Sequence, residues 1–208
     1  MPVETSSTVA EKRTIDTAET YTLKEYMSLP DDGKQYELVK GKLLDMQGPS
    51  IGHGTIISRL SRYMEAFATD NRLGLVSSNA AFVFDPIKEP NSARRPAVSF
   101  VNKSRLVGVD YNDAFHFPPD LAVEVVSRTD VWFDVSNKAA EYLEAGVPLI
   151  WVIFPPDQQV FVHSPGQKIK TLLSDDELDG GNVIPGFKLK VSVLFDWIDW
   201  IGQPEASA

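Results

Sequence analysis

A chain of 208 residues with 43% apolar and 24% charged side chains is long enough to bury a substantial core, and its composition is that of a soluble globular protein. A net charge of −9 argues against a passive, sequence-independent nucleic-acid coat, which needs a basic face, but not against a carboxylate site that holds a divalent cation. Zero cysteines exclude disulfides and thiolate chemistry and fit a cytoplasmic protein; no apolar run reaches the roughly 18 residues of a membrane span. The first residues, MPVETSSTVAEKRT, hold no apolar stretch for a secretory signal. We read 1–20 as a flexible polar arm and 21–208 as a single domain.

In chain order, 22–28 (TLKEYMS) predict a short helix stopped by Pro30 and the Asp31-Asp32-Gly33 turn. YELVKGKLLDM (36–46) alternates around Gly41 and predicts a hairpin. Between Gly52 and Asp70, Ile56, Leu60, Tyr63, Met64 and Phe67 recur at helical spacing and mark one buried face. LVSSNAAFVF (75–84) reads as a strand ending at Asp85-Pro86, IKEPNSARR as a polar loop, and RPAVSFV (95–101) as the next strand. Residues 104–117 form a connection with Asp110 to Asp113 near its tip. DLAVEVVS, a helix opened by Lys138 and LIWVIF then make a β-α-β unit, which implies a parallel strand pair. DQQVFVHSPGQKIKTLL predicts a hairpin turning at Ser164-Pro165-Gly166, and DELDGGNVIPGF leads to a last short strand around Val191. Trp197, Ile198, Trp200 and Ile201 suit either a terminal helix docked on its own domain or a contact between copies.

Within DLAVEVVS, Glu124 stands among Leu121, Ala122, Val123, Val125 and Val126. A carboxylate there is costly to desolvate unless a cation or hydrogen bonds hold it, so Glu124 is a candidate metal ligand rather than a strand-edge acid reaching solvent. The residue expected to face it across the sheet is Ala97. Lys138 lies with Val135, Ala139 and Tyr142 along the border of a helical stripe; the local alternative is an i,i+4 pair with Asp134. Asp120 reads as a strand-entry residue, and Ser127 and Thr129 as loop hydroxyls. Arg94, Arg95, Lys103 and Arg105 surround position 97, either as solvated strand-end charges or as phosphate contacts.

YELVKGKLLDM, His53 ahead of a helix, RRPAVSF, DLAVEVVS, the Lys138 helix with Tyr142, and IPGFKLKVSVLF (184–195) together resemble the Uma-two branch of the PD-(D/E)XK restriction-endonuclease-like superfamily. The resemblance runs from about Tyr21 to Phe195. It implies an α/β fold with a central mixed β-sheet flanked by helices and added β-hairpins. It also implies phosphodiester hydrolysis of DNA with Mg²⁺ or Mn²⁺, metal roles for position 97, Glu124 and the Val125 backbone carbonyl, and a catalytic Lys138. Glu37 would assist the metal or the water, and His53 and Arg95 would touch substrate; a homodimer would suit cutting both strands. One departure bears on activity: the family reads Arg-x-Pro-Asp where this chain has Arg95-Pro96-Ala97, so the first metal carboxylate is gone. A deliberate Asp→Ala replacement or a natural loss would each leave this residue. The rival reading is a non-catalytic nucleic-acid- or protein-binding module on a degenerate nuclease fold. A two-carboxylate glycosidase draws no support from the strand-helix-lysine arrangement.

Overall fold

The computed structural model describes residues 15–46, 50–84, 89, 91–126 and 132–201, without the side chains of 132–134 and 200. The helix α1 (Leu23–Met27) is short but well closed: the Thr22 hydroxyl accepts from Glu25 N at 3.2 Å, and Thr22 N donates back to the Glu25 carboxylate at 2.8 Å. The antiparallel strands β1 (Gln35–Val39) and β2 (Lys42–Met46) then turn through Lys40 and Gly41 at φ 51° and 79°, the left-handed pair that suits a two-residue hairpin. This hairpin forms its own ladder. One of its faces, carrying Tyr36, Leu38 and Leu43, packs on Tyr21, Tyr26, Val83, Ala93 and Ala114. Residues 15–20 lie against the same hairpin, where the Lys42 ammonium donates to Ala18 O at 2.7 Å; residues 1–14 of the expected arm lie outside the described set.

The helix α2 (Ile51–Asp70) begins on the Ser50 cap and buries Ile56, Leu60, Met64 and Ala68, the stripe its periodicity predicts; Tyr63 and Phe67 pack beside it half-buried. A six-stranded mixed sheet follows. Its members are β3 (Gly74–Ser77), β4 (Val98–Asn102), β5 (Leu121–Val125), β6 (Leu149–Phe154), β7 (Gln159–His163) and β8 (Lys170–Leu172), adjacent in that order. β5 and β6 are parallel and joined through α3 (Trp132–Glu144); the other neighbours are antiparallel. The alternation of β5 assigns the helices to opposite faces: Leu121, Val123 and Val125 pack with α2, while Ala122 and Val126 pack with Ala139 and Tyr142 of α3. Glu124 is in phase with Ala122 and Val126 and so belongs to the α3 face.

Four sequence expectations need correction. The strand expected over 75–84 stops at Ser77, because Asn79 takes a left-handed conformation (φ 55°), which Asn tolerates better than most residues. Phe82 then makes isolated bridges with Arg94 and Phe115 and stacks on the Phe115 ring at 4.6 Å. β4 starts at Val98, so Ala97 lies just ahead of it at a bend after Pro96. α3 begins at Trp132, which puts Lys138 in mid-helix rather than at its start. The last strand is β10 (Lys188–Lys190), paired with β9 (Glu177–Asp179); Val191 opens a 3-10 helix over Val191–Leu194.

The aromatic C-terminal stretch forms a further 3-10 helix (Asp196–Trp200). Trp197 donates to Leu194 O at 2.9 Å, and its ring lies so close to Gly52 that a Cβ there would approach it to 3.2 Å. Ile198 packs on the main core. This segment therefore docks on its own chain. No helix among the described residues is long and apolar enough to cross a membrane.

Candidate active site

Three elements distant in sequence converge on the α3 face of the sheet. Glu37 alternates with Tyr36 and Leu38 and therefore leaves the hairpin on the side away from its apolar cluster, yet it is only 5% exposed. Glu124 comes from β5. Lys138, Glu141 and Tyr142 come from α3, where i, i+3 and i+4 spacing brings them to one side of the helix. The Lys138 ammonium donates to Glu37 Oε1 at 2.8 Å and to Glu124 Oε1 at 3.0 Å. Tyr142 Oη donates to Glu124 Oε1 at 2.5 Å. Arg94 donates to Glu37 Oε2 at 2.9 Å and to Glu141 Oε2 at 2.5 Å, and the Arg95 backbone N–H donates to Glu37 Oε1 at 2.9 Å.

The electrostatics follow from burial and these contacts. Burial pushes the Glu37 carboxyl up, but Lys138 and Arg94 outweigh it and hold the group below its ordinary value. Glu124 goes the other way: burial raises it and the Glu37 charge adds to that, while Lys138 and Tyr142 offset only part. Burial alone would lower Lys138, yet the two carboxylates keep it above its ordinary value and hence charged. Burial and the Glu124 charge raise the Tyr142 phenol well above its usual range, so it remains a donor. One cation is thus shared between two acids, of which Glu37 is firmly ionised and Glu124 is the easier to protonate.

Ala97 is 3% exposed and lies within the apolar cluster that holds Ile56, Leu60, Val98 and Val125. Its neighbour Val98 pairs with Val123, the residue before Glu124, but Ala97 itself lies just outside that ladder and its methyl belongs to the α2-face cluster, whereas Glu124 is in phase with the α3 face. Val125 turns its side chain into the same apolar cluster, leaving its backbone carbonyl as its one oxygen. His53 stands in the first turn of α2, the helix on the sheet face opposite α3. The Arg95 guanidinium donates to Asn79 O at 2.6 Å. Arg105 donates to Asp120 Oδ1 and to Pro118 O and lies over the Phe117 ring, while Asp120 also caps the Asn102 N–H; the strand-entry role of Asp120 has this basis. Ser127, Thr129 and the Asp134 side chain lie outside the described set. Sequence spacing alone did not point to Glu141, and it left Arg94 as either a solvated strand-end charge or a phosphate contact; the fold brings the hairpin and α3 to either side of it.

The donor set does not suit a Mg²⁺ or Mn²⁺ ion, which asks for about six oxygen ligands. Glu37 accepts from Lys138, Arg94 and the Arg95 N–H, Glu124 accepts from Lys138 and Tyr142, and Ala97 supplies no side-chain oxygen. Among the described residues, no group of three or more His, Asp or Glu is placed to hold a metal ion.

No curated protein matches the chain. A solved structure titled as a putative nuclease belonging to DUF820, from Anabaena variabilis ATCC 29413, superposes with a TM-score of 0.73. Its identity is 22%, over 86% of this chain and 99% of that one, so the likeness is one of fold. The family model Uma2, described as "Putative restriction endonuclease", matches residues 23–192, which include Glu37, Glu124, Lys138 and Tyr142. The chain belongs to the Uma2 family of restriction-endonuclease-like proteins.

Proposed function

We propose that this chain carries the site of a metal-dependent DNA endonuclease of the PD-(D/E)XK type, impaired as it stands by Ala97. The observation that carries the reading is the convergence of Glu124, Lys138 and Glu37 on one buried spot, in a chain of a nuclease-like family. In this reading Lys138 offsets negative charge on the scissile phosphate and orients the attacking water, Glu124 is the acid of the second motif, and Arg94 steadies Glu37. With an acid restored at position 97, that residue and Glu124 would hold the divalent ion, which would supply polarisation of the phosphate and a lowered pKa for water. Without its first carboxylate the chain is expected to hydrolyse DNA several orders of magnitude more slowly than an intact site. A homodimer with one site per strand belongs to the same reading.

A non-catalytic module that binds nucleic acid or a protein is the second reading, and the filled acceptors of Glu37 favour it. Restoring the acid separates the two. Ala97→Asp is expected to give Mn²⁺- or Mg²⁺-dependent cleavage of duplex DNA, and adding Glu124→Ala is expected to abolish it. A restored protein that binds no metal and cuts nothing refutes the enzyme and leaves the binding module.

A further inference from the structure

We infer that Lys138 is the resident cation of this pocket, and that Glu37, Lys138 and Glu124 form an internal clamp that joins the β1–β2 hairpin to β5 and α3 and excludes a divalent ion from the chain as it stands. The inference goes beyond the nuclease reading and does not depend on it.

The ammonium stands where a bridging cation would stand, 2.8 Å from one carboxylate and 3.0 Å from the other. The Glu37, Glu124 and Lys138 side chains are only 6%, 12% and 17% exposed, so water can replace the ammonium's bonds only in part. The surrounding donors close the arrangement further. Arg94 and the Arg95 N–H hold both oxygens of Glu37, Tyr142 holds the oxygen of Glu124 that Lys138 also uses, and Arg94 reaches on to Glu141 of α3. Among the described residues the hairpin shares no strand pairing with the six-stranded sheet, and these buried charges tie it directly to α3.

Charge count points the same way. Glu37, Glu124 and Glu141 face Lys138 and Arg94, so the described groups come within one unit of neutrality. A divalent cation entering beside the ammonium would overshoot neutrality and repel it at short range. To bind, the ion must expel Lys138 from both carboxylates, and position 97 returns no oxygen in exchange.

Mn²⁺ titration by calorimetry, with thermal melts in the same metal series, tests the inference on the full chain, Glu124→Gln and Lys138→Met. The unaltered chain is expected to show no saturable Mn²⁺ binding and no Mn²⁺-dependent rise in Tm. Lys138→Met takes the ammonium off both carboxylates and leaves Glu124 without a cation; it is expected to melt lower, to regain Tm as Mn²⁺ is added, and to bind Mn²⁺ at least about tenfold more tightly than the unaltered chain. Saturable one-site binding by the unaltered chain that Glu124→Gln removes would overturn the inference, and that arm stands even if Lys138→Met fails to fold. Lys138→Met that folds but gains no Mn²⁺ affinity also overturns it. Either result leaves the nuclease reading intact, because that reading fails only if the Ala97→Asp protein cuts nothing.

Discussion

Removing the shared ammonium puts a number on how much the fold leans on it. Lys138→Met keeps most of the side-chain volume and so leaves the packing against Tyr142 largely unchanged, while the charge goes. Taking one partner from a buried ion pair costs about 3–5 kcal/mol, because the remaining charge stays buried without compensation. Here two carboxylates lose the same partner, which pushes the cost up. Two features pull it back: Arg94 still neutralises Glu37, and Glu124, already raised by burial, can take up a proton. The balance is about 3 kcal/mol at neutral pH, or a fall in Tm of about 6–12 °C for a domain of this size. Urea melts of both proteins give the difference. Protonation relieves the variant's uncompensated Glu124, so the gap is expected to narrow as pH falls through that group's raised value. A difference below about 1 kcal/mol, the size of an exposed pair, would refute the reasoning, because the ammonium would not be held between two buried acids.

Other expectations follow from the same contacts. Glu37 is held below the ordinary glutamate value of 4.5, so its contribution is present above that value and is lost as pH falls through its lowered one. Glu37→Gln should flatten this acid limb in urea melts followed down the pH scale; an unchanged slope would mean that Glu37 titrates normally. Tyr142→Phe keeps the edge contact with the Phe84 ring at 4.8 Å but deletes the bond to Glu124. It should cost about 1–3 kcal/mol and raise the Glu124 carboxyl further, both readable by melts and by carboxyl NMR titration. Gly74→Ala adds a Cβ that would lie 2.1 Å from the Val101 carbonyl oxygen, inside the β3–β4 ladder. Destabilisation at the upper end of about 1–3 kcal/mol is expected, and a neutral result would show that the strands separate there without penalty.

What could be read from the chain tracks how local each signal is. The α2 stripe Ile56–Leu60–Met64, the Lys40–Gly41 turn and the apolar run around Glu124 are written in neighbouring residues, and each appears as expected. Boundaries failed where one residue's backbone choice outweighed the pattern around it. Asn79 breaks an apolar run that reads as continuous strand, and Val191 opens a 3-10 turn just past the short β10. Lys138 was legible as a residue on the border of the inward stripe but not as a mid-helix one, although Val135, a turn earlier, packs with the same cluster as Ala139 and Tyr142.

Periodicity by itself determined the parallel β5–α3–β6 unit, and the order of motifs that resemble the Uma2 family implied the α/β class, because both rest on short-range patterns and their sequence along the chain. Tertiary structure alone decided who shares a charge with whom. Glu37 finds Lys138, and Arg94 finds both Glu37 and Glu141, only once the hairpin has folded over the edge of α3. A charged side chain advertises that it needs a partner when buried, but not which one. That choice depends on chain segments brought together by apolar packing, which holds the acids and bases close enough for Coulomb attraction to act.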